Sequence, residues 1–327
     1  MSLAPYVRIL GRGPGRSRSL TRDEAREAMA SILSGQAEPE AIGALLMLMR
    51  FRGECADEIA GFVDAMRARL PDWAKVDAAV DWPSYAAGRT RGRPYFLLSA
   101  RLIAQAGYPV LLHGWNSHQN PLADVRSALD GLGIPVAENV TMAETGLTSA
   151  GIVYVPLEVI DPALLHLLKL RDALGLRSAV NTALRVLNPS LARASVQGVF
   201  HPPYRDLQCV AGELLAQPAL TVIKGGAGEF ERNPAKAVAL HRLAAGRRSE
   251  ETAPPIVKAT RRLSENASDM PPPDALWRGE TADPFAEAIV LGTAAVALLT
   301  LGAGETLDAC QSEAAMLWRS RHHRAAA

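Results

Sequence analysis

The stretch Leu20–Gly35, LTRDEAREAMASILSG, contains a complete set of signals for one α-helix. Thr21 and Glu24 have the spacing of a capping box, in which each side chain binds the backbone N–H group of the other residue. Apolar residues then recur every three or four positions, which predicts a helix with one buried face. Gly35 is expected to end the helix, because glycine readily adopts the left-handed conformation found at helix C-termini.

Two more helices are predicted directly after this one, from about residue 39 to 51 and from about residue 56 to 70. Three consecutive helices with short connections indicate a small all-α domain, which we place at residues 1–72. The first 19 residues are rich in arginine and glycine. We expect them to form a mobile or partner-dependent arm.

From residue 73 to 327, short apolar runs alternate with helix-like segments. Such alternation is typical of a mainly parallel sheet covered by helices, so the larger domain is predicted to be α/β. The polar, proline-rich segment 244–284 is interpreted as a long surface excursion. The apolar run Ala288–Gly302 has 15 residues. About 20 are needed to cross a bilayer, so this run predicts a buried helix.

The net charge of the 327-residue chain is close to zero, since 35 lysines and arginines face 34 aspartates and glutamates. A strongly basic coat for nucleic acid is therefore excluded, although local basic patches are not. Thirty of the 35 cations are arginines, a bias that suits phosphate binding and that codon usage also explains. Three widely spaced cysteines and the lack of a basic-then-apolar leader predict a soluble cytoplasmic protein.

Matches in the same order along the chain resemble anthranilate phosphoribosyltransferases of glycosyltransferase family 3. The matching segments are Leu20–Ala25, Ser34–Gly35, Ile42–Leu46, Arg171–Arg177, Asn188–Pro189 and Thr293–Ala295. This resemblance implies a small all-α domain, completed by helices near residues 161–190, beside a larger α/β domain over residues 73–327. It also implies a homodimer formed through the helical domain and an active site in the cleft between the domains.

The phosphate-binding motifs of those enzymes differ in this sequence. Where the family has the diphosphate loop G-T-G-G-D-G, residues 84–89 read SYAAGR. The following N-x-S-T motif becomes PYFL at residues 94–97, and the basic motif K-H-G-N-R-S becomes LHGWNS at residues 112–117. The resemblance therefore implies that the groups that bind phosphoribosyl diphosphate are missing.

The acidic pair that holds Mg²⁺ in the family is also incomplete, because Phe230 replaces its aspartate. Mg²⁺ prefers several oxygen ligands, so Glu229 and Glu231 are only weak metal candidates. We assign no catalytic residue and no cofactor, and Mg²⁺ is expected only if the protein is an active transferase.

The sequence is more similar to the divergent YbiB-type branch, which keeps the transferase fold and is associated with nucleic-acid binding. The segments that carry this similarity are LLHG at residues 111–114, VIKG at residues 222–225 and ERNP at residues 231–234. The similarity implies single- or double-stranded nucleic acid as a partner.

The candidate residues for binding nucleic acid or phosphate are Arg89, Arg91, Arg93, His113, Asn116, Arg171, Lys224 and Gly225. In an extended segment, Arg89, Arg91 and Arg93 would point to the same side, and a bound anion would relieve their mutual repulsion. A solvated, flexible loop explains the three arginines equally well. The glycine-rich turn that begins at Lys224 either presents backbone N–H groups to an anion or is a tight turn that needs no ligand. Arg171 either matches the family arginine that contacts anthranilate or pairs on the helix surface with Asp172.

Five aromatic residues gather in the altered cleft motifs: Trp82, Tyr85, Tyr95, Phe96 and Trp115. They either stack on the bases of a single strand or fill the core.

We expect a homodimeric protein that binds nucleic acid non-specifically through arginine-rich cleft loops. The alternatives are an active glycosyl or phosphoribosyl transferase with an altered donor or acceptor, and a cleft that binds a small phosphorylated metabolite and regulates a protein partner. No membrane partner is expected.

Overall fold

The N-terminal part of the computed structural model is a helical bundle. The structure describes residues 2–13, 15–86, 91–115 and 120–322. The bundle helices are α1 (Ala4–Gly11), α2 (Arg22–Leu33), α3 (Pro39–Arg52) and α4 (Ala56–Arg67). The predicted capping box is confirmed at the start of α2. The backbone N–H of Glu24 donates to Thr21 Oγ1 at 3.2 Å, and the backbone N–H of Thr21 donates to Glu24 Oε2 at 2.9 Å.

The expectation of a mobile N-terminal arm is wrong for the residues that form α1. Leu3 and Leu10 are 1% and 2% exposed and belong to the same apolar core as α2, α3 and α4. Helix α1 packs against α3. Short helices are marginal on their own and depend on such tertiary packing, which local composition does not reveal.

The larger unit is built on a seven-stranded sheet, and the predicted α/β class is confirmed. The strands are β1 (Val80–Ser84), β2 (Val110–Gly114), β3 (Ile152–Pro156), β4 (Ala194–Val199), β5 (Ala219–Lys224), β6 (Val238–Ala244) and β7 (Arg247–Ala253). Their order is β3-β2-β1-β4-β5-β6-β7, with parallel pairing from β3 to β5 and antiparallel pairing of β6 and β7. Part of the segment predicted as a surface excursion therefore forms β7.

Helices cover both faces of this sheet. They are α5 (Phe96–Gln105), α6 (Arg126–Leu129), α7 (Val140–Ala150), α8 (Leu157–Ile160), α9 (Pro162–Leu174), α10 (Ala179–Val186), α11 (Pro203–Leu214), α12 (Pro273–Arg278), α13 (Pro284–Leu301) and α14 (Leu307–Ser320). Helix α13 is long and apolar enough to cross a membrane by length and composition, but 83% of that stretch is buried inside the fold. It packs against α5 and α14 as a core helix, as the sequence predicted.

The helical bundle and the sheet unit meet along α9, α10 and α11. Helix α10 packs against α3 and α4, and α11 packs against α4. One apolar core includes residues of the bundle together with Leu164, Leu168 and Ala183 from α9 and α10. The boundary at residue 72 stays a prediction. This packing places the cleft at the carboxyl ends of the parallel strands, where ligands of open α/β sheets usually bind.

Candidate functional site

A cavity of about 510 Å³ lies between the helical bundle and the carboxyl end of β4. Its walls come from the end of α3, from α9, α10 and α11, and from the loop after β4. The polar and aromatic residues that line it are Arg50, Glu54, Arg171, Asp172, Arg177, Asn181, Thr182, Arg185, Phe200, His201, Tyr204 and Gln208. The lining holds four arginines and two carboxylates, so its net charge is about +2.

Arg185 is the most buried of these arginines, with 7% of its surface exposed. Its Nη2 donates to the backbone carbonyl of Tyr85 at 3.1 Å. No carboxylate oxygen lies within 4 Å of its guanidinium in the part of the chain that the structure describes. Burial lowers the pKa of Arg185 to about 10, and the nearby charge of Glu229 opposes that shift. The side chain is therefore a buried cation at neutral pH whose hydrogen-bonding capacity is only partly used.

A chain of hydrogen bonds holds the wall formed by α3, α10 and α11. Arg50 Nη1 donates to the Tyr204 hydroxyl at 2.7 Å, and that hydroxyl donates to Glu54 Oε1 at 3.0 Å. Thr182 Oγ1 donates to the same carboxylate oxygen at 3.3 Å. Burial raises the pKa of Tyr204, so its hydroxyl stays protonated and serves as a donor. These contacts fix the distance between the bundle and the sheet unit.

Several buried polar atoms of the cavity wall have no hydrogen-bond partner among the described residues. They are Glu54 Oε2, Arg171 Nη1, Asn181 Nδ2, and both Nε2 and Oε1 of Gln208. Asn181 and Gln208 are 4% and 1% exposed. An unsatisfied buried polar group costs about 1–3 kcal/mol, so native proteins rarely leave several together unless water or a ligand serves them.

Two glutamates close a second region, at the carboxyl ends of β1 and β5. Glu229 Oε1 accepts from Ser84 Oγ and from the backbone N–H of Ala86, both at 3.0 Å. Glu231 Oε2 accepts from the backbone N–H of Phe96, in the first turn of α5, at 3.2 Å. Both glutamates are at most 1% exposed. No group of three or more His, Cys, Asp or Glu side chains suited to a metal ion occurs among the described residues.

The five aromatic residues Trp82, Tyr85, Tyr95, Phe96 and Trp115 belong to the core, which agrees with the second of the two interpretations and not with base stacking. They are at most 5% exposed. The Trp82 ring lies 6.3 Å from that of Phe96 and 5.4 Å, edge to face, from that of Phe230. Phe230 therefore packs as an apolar side chain.

His113 cannot contact a nucleic acid or a phosphate from its position, which corrects the prediction for this residue. It is fully buried on β2, where Nε2 lies 3.0 Å from Asp81 Oδ1 and Nδ1 lies 2.8 Å from the Tyr85 hydroxyl. Ser195 Oγ donates to the other oxygen of Asp81 at 2.7 Å. This internal network ties β1, β2 and β4 together below the cleft.

The glycine-rich turn after β5 does not present its N–H groups to an anion, so the prediction for Gly225 is also wrong. The N–H of Gly225 donates to Val199 O at 3.2 Å, and the N–H of Gly226 donates to Glu231 O at 3.2 Å. A Cβ on Gly225 would lie 1.7 Å from the carbonyl oxygen of Glu229. Glycine is needed here for close backbone approach. Lys224, by contrast, is exposed at the end of β5.

The remaining predicted arginines are distributed over two places. Arg171 is half-buried in the cavity wall, and its Nε lies 3.7 Å from the neighbouring Asp172 carboxylate, as the second interpretation expects. A contact of Arg171 with anthranilate stays a prediction. Arg91 is exposed, whereas Arg93 donates from Nε to the carbonyl of Ala267 at 2.9 Å. Arg89 and Asn116 lie outside the described residues, so the common direction of the three arginines stays a prediction.

Sequence reasoning missed Arg185, Asn181 and Gln208. One signal could have found Arg185, because it interrupts the apolar run Ala183–Leu187 of a helix. A charged residue in such a run is buried at high cost unless it has a partner or a function. Gln208 had no comparable signal, since glutamine on an amphipathic helix is ordinarily exposed.

The fold and part of the sequence are similar to known proteins. Residues 4–70 match the helical bundle domain of a glycosyl transferase family. An anthranilate phosphoribosyltransferase of Rhizobium rhizogenes is 37% identical over 186 residues, which cover 57% of this chain and 54% of that protein. The enzyme of Rhizobium meliloti is 32% identical over 188 residues, which cover 58% and 56%. The chain thus spans little more than half the length of these curated relatives.

Solved structures extend the likeness to nearly the whole chain. Anthranilate phosphoribosyltransferase from Thermus thermophilus has a TM-score of 0.78 at 22% identity and covers 98% of this chain and 95% of its own. The Saccharomyces cerevisiae enzyme in complex with phosphoribosyl diphosphate and Mg has a TM-score of 0.75 at 15% identity and covers 97% and 93%. At these identities the likeness establishes the fold.

Proposed function

Since the chain belongs to the anthranilate phosphoribosyltransferase superfamily, we propose that it keeps the fold of these enzymes and binds nucleic acid at its cleft instead of phosphoribosyl diphosphate. The observation that carries this proposal is the position of Glu229 and Glu231. Their carboxylates accept from the backbone N–H groups of Ala86 and Phe96. Both N–H groups belong to the segments 84–89 and 94–97, which the sequence resemblance assigns to the phosphate-binding motifs of the family.

A bound diphosphate needs the N–H groups that these carboxylates already use. Glu229 and Glu231 are buried, so a diphosphate would have to displace them or lie beside two like charges of low solvation. The residues fit Mg²⁺ poorly, because one oxygen of each carboxylate already accepts from a backbone N–H group and Phe230, between them in the sequence, is buried in the core. We infer that the donor site of the enzymes is filled here by the protein's own side chains.

The basic character of the cleft supports nucleic acid as the ligand. The cavity lining carries a net charge of about +2, and exposed Lys224 and Arg91 lie at the same carboxyl edge of the sheet. A nucleic-acid backbone supplies a row of phosphates to such an edge without sequence preference.

We also propose a homodimer formed through the helical bundle, where the apolar side chain of Phe51 on α3 is 91% exposed. A dimer would present the basic edge twice and gain avidity for a polymer.

Fluorescence anisotropy of a labelled single-stranded oligonucleotide, titrated at several salt concentrations, tests this proposal. We expect affinity to fall steeply with salt, and each phosphate contact removed should reduce the slope of log affinity on log salt by about 1. The variant Arg91→Ala with Lys224→Ala should lower both the affinity and the slope. Lys75→Ala is the matched control, because exposed Lys75 precedes β1 at the opposite edge of the sheet. Absence of binding at low salt contradicts the proposal.

The second candidate is a glycosyl or phosphoribosyl transferase with an altered donor or acceptor. It is favoured by the shared fold of the yeast enzyme that binds phosphoribosyl diphosphate and Mg. It is also favoured by the open cavity beside Arg171. This candidate predicts that phosphoribosyl diphosphate with Mg²⁺ raises the melting temperature of the wild-type protein. The first candidate predicts no such rise.

A further inference from the structure

The net positive charge of the cavity lining favours an anionic ligand. Arg185 and Arg171 contribute guanidinium groups from adjacent walls, and the lining as a whole is net positive by about two charges. A phosphate monoester carries about −1.5 to −2 at neutral pH and three strong acceptor oxygens. Arginine matches such a group because its planar fork of N–H donors binds phosphate in a bidentate manner.

The unpartnered atoms of the cavity include both donors and acceptors. Asn181 Nδ2 and Arg171 Nη1 are donors that phosphate oxygens can satisfy. Gln208 Oε1 and Glu54 Oε2 are acceptors, and they need a ligand that offers O–H or N–H groups. The hydroxyls of a sugar, or the exocyclic amine of a base, supply such donors. A ligand that satisfies both sets of atoms would join an anion to a group with hydrogen-bond donors.

Aromatic side chains at the cavity add a third requirement. Phe200 lines the cavity and is 52% exposed, and its ring lies 4.8 Å, edge to face, from the ring of His201. An exposed ring at a basic site offers a stacking surface for a base. The volume of about 510 Å³ lies within the range of about 300–1,000 Å³ that is typical of small-molecule sites.

We propose that this cavity binds a phosphate monoester that carries a sugar and a planar base, that is, a nucleoside monophosphate, either free or as the terminal nucleotide of a strand. Arg185 and Arg171 bind the phosphate. Asn181 donates to a phosphate oxygen, Gln208 binds the sugar or the base edge, and Phe200 packs on the base. The binding of the free nucleotide is independent of the proposed function, and only its strand-end form rests on that function.

Calorimetric titration with adenosine and uridine 5′-monophosphates tests the pocket directly. Ribose 5-phosphate and inorganic phosphate serve as probes that lack the base or the whole nucleoside, and both should bind more weakly. We expect Arg185→Met to weaken nucleotide binding at least about tenfold, because it removes a charge-assisted contact to phosphate. Arg101→Met is the control, since Arg101 is half-buried over the Trp277 ring, away from the cavity.

Gln208→Leu separates a ligand role from a structural role. Because Gln208 is buried without a partner in the described structure, the leucine variant should keep or raise the melting temperature while its nucleotide affinity falls. Phe200→Ala should weaken the nucleotides and leave ribose 5-phosphate unchanged. If neither nucleotide binds at millimolar concentration, or if Arg185→Met and Gln208→Leu both bind as tightly as wild type, the proposal is wrong.

Labelled oligonucleotides with a 5′-phosphate or a 5′-hydroxyl distinguish the two sources of the ligand. Tighter binding of the phosphorylated strand, lost in Arg185→Met, supports the terminal nucleotide. Equal binding of both strands, together with binding of the free monophosphates, supports the free nucleotide. If no strand binds while the monophosphates do, the nucleic-acid function fails and the nucleotide site stands.

Discussion

Removal of the Glu229 carboxylate should open an anion-binding site that this side chain occupies in the wild-type protein. Glu229 is fully buried, and its Oε1 accepts from Ser84 Oγ and from the backbone N–H of Ala86, both at 3.0 Å. If this carboxylate stands where a ligand phosphate would bind, Glu229→Ala removes the acceptor that Ser84 Oγ and the Ala86 N–H use and vacates the volume of that carboxylate. An added anion of the right shape should then occupy that volume and restore stability.

The contacts set the size of the expected effect. Two hydrogen bonds to a charged acceptor contribute together about 3–6 kcal/mol, and relief of the desolvation of the buried carboxylate offsets part of that. We therefore expect Glu229→Ala to lower the free energy of unfolding by about 2–4 kcal/mol. For 327 residues the entropy of unfolding is about 0.7 kcal/mol/K, so the melting temperature should fall by about 3–6 °C.

Thermal melts with pyrophosphate measure the rescue. At 100 times its dissociation constant, an anion that binds only the folded protein adds about 2.7 kcal/mol, which corresponds to about 4 °C here. The wild-type protein should show no such gain. Glu58→Ala is the matched control, since Glu58 is 1% exposed and accepts from the backbone N–H groups of Leu20 and Cys55 in the helical bundle, both at 2.9 Å.

An anion site behind Glu229 is refuted if pyrophosphate stabilises Glu229→Ala no more than it stabilises wild type and Glu58→Ala at matched ionic strength. A gain that sodium chloride reproduces would have the same meaning, because general screening does not require a shaped site. A gain confined to Glu229→Ala shows that the N–H group of Ala86 remains competent to bind phosphate.

Two predictions concern the helical bundle. Gly61→Ala should destabilise the protein by about 1–3 kcal/mol in urea denaturation, because the added Cβ would lie 2.2 Å from the backbone oxygen of Arg22. Gly43→Ala is the control: its added Cβ would have only a 3.8 Å contact, so this variant should be neutral or stabilising. The hydrogen bond from Arg18 lowers the pKa of Glu24 to about 2. Below about pH 4.5 the unfolded chain therefore binds more protons at Glu24 than the folded chain does. The contribution of Glu24 to the free energy of unfolding is fully present above about pH 4.5 and is lost toward pH 2. Thermal melts from pH 6 to 2 should show a weaker decline for Glu24→Gln, and an unchanged decline contradicts the assignment.

The elements that the sequence predicted well are those whose signals are local. The cap of α2 depends on two side chains three residues apart, and the apolar character of α13 is evident over 18 consecutive residues. Helix α1 was missed because its stability depends on the burial of Leu3 and Leu10 against helices that lie later in the chain. Contacts of that kind leave no periodic signal in a segment of eight residues.

The candidate site was predicted only where a local motif or a resemblance pointed to it. Arg171 was found in this way and lines the cavity. The turn after Lys224 was interpreted as an anion site because its glycines follow a strand. That interpretation failed because Gly225 and Gly226 donate to carbonyls of their own surroundings. The relevant contact, from Ser84 to Glu229, joins residues 145 positions apart, and no local pattern predicts which distant carboxylate reaches a loop.

One peptide group connects the closed site to the open cavity. The carbonyl oxygen of Tyr85 accepts from Arg185 at 3.1 Å, and the N–H of Ala86, in the same peptide unit, donates to Glu229 at 3.0 Å. A cation and an anion therefore bind the two ends of one dipole, and each contact strengthens the other in a water-poor environment. The attraction of Glu229 also raises the pKa of Arg185 against the larger effect of burial. Because of this shared peptide, a ligand that draws on Arg185 acts on the group that holds Glu229, and the two sites cannot respond independently.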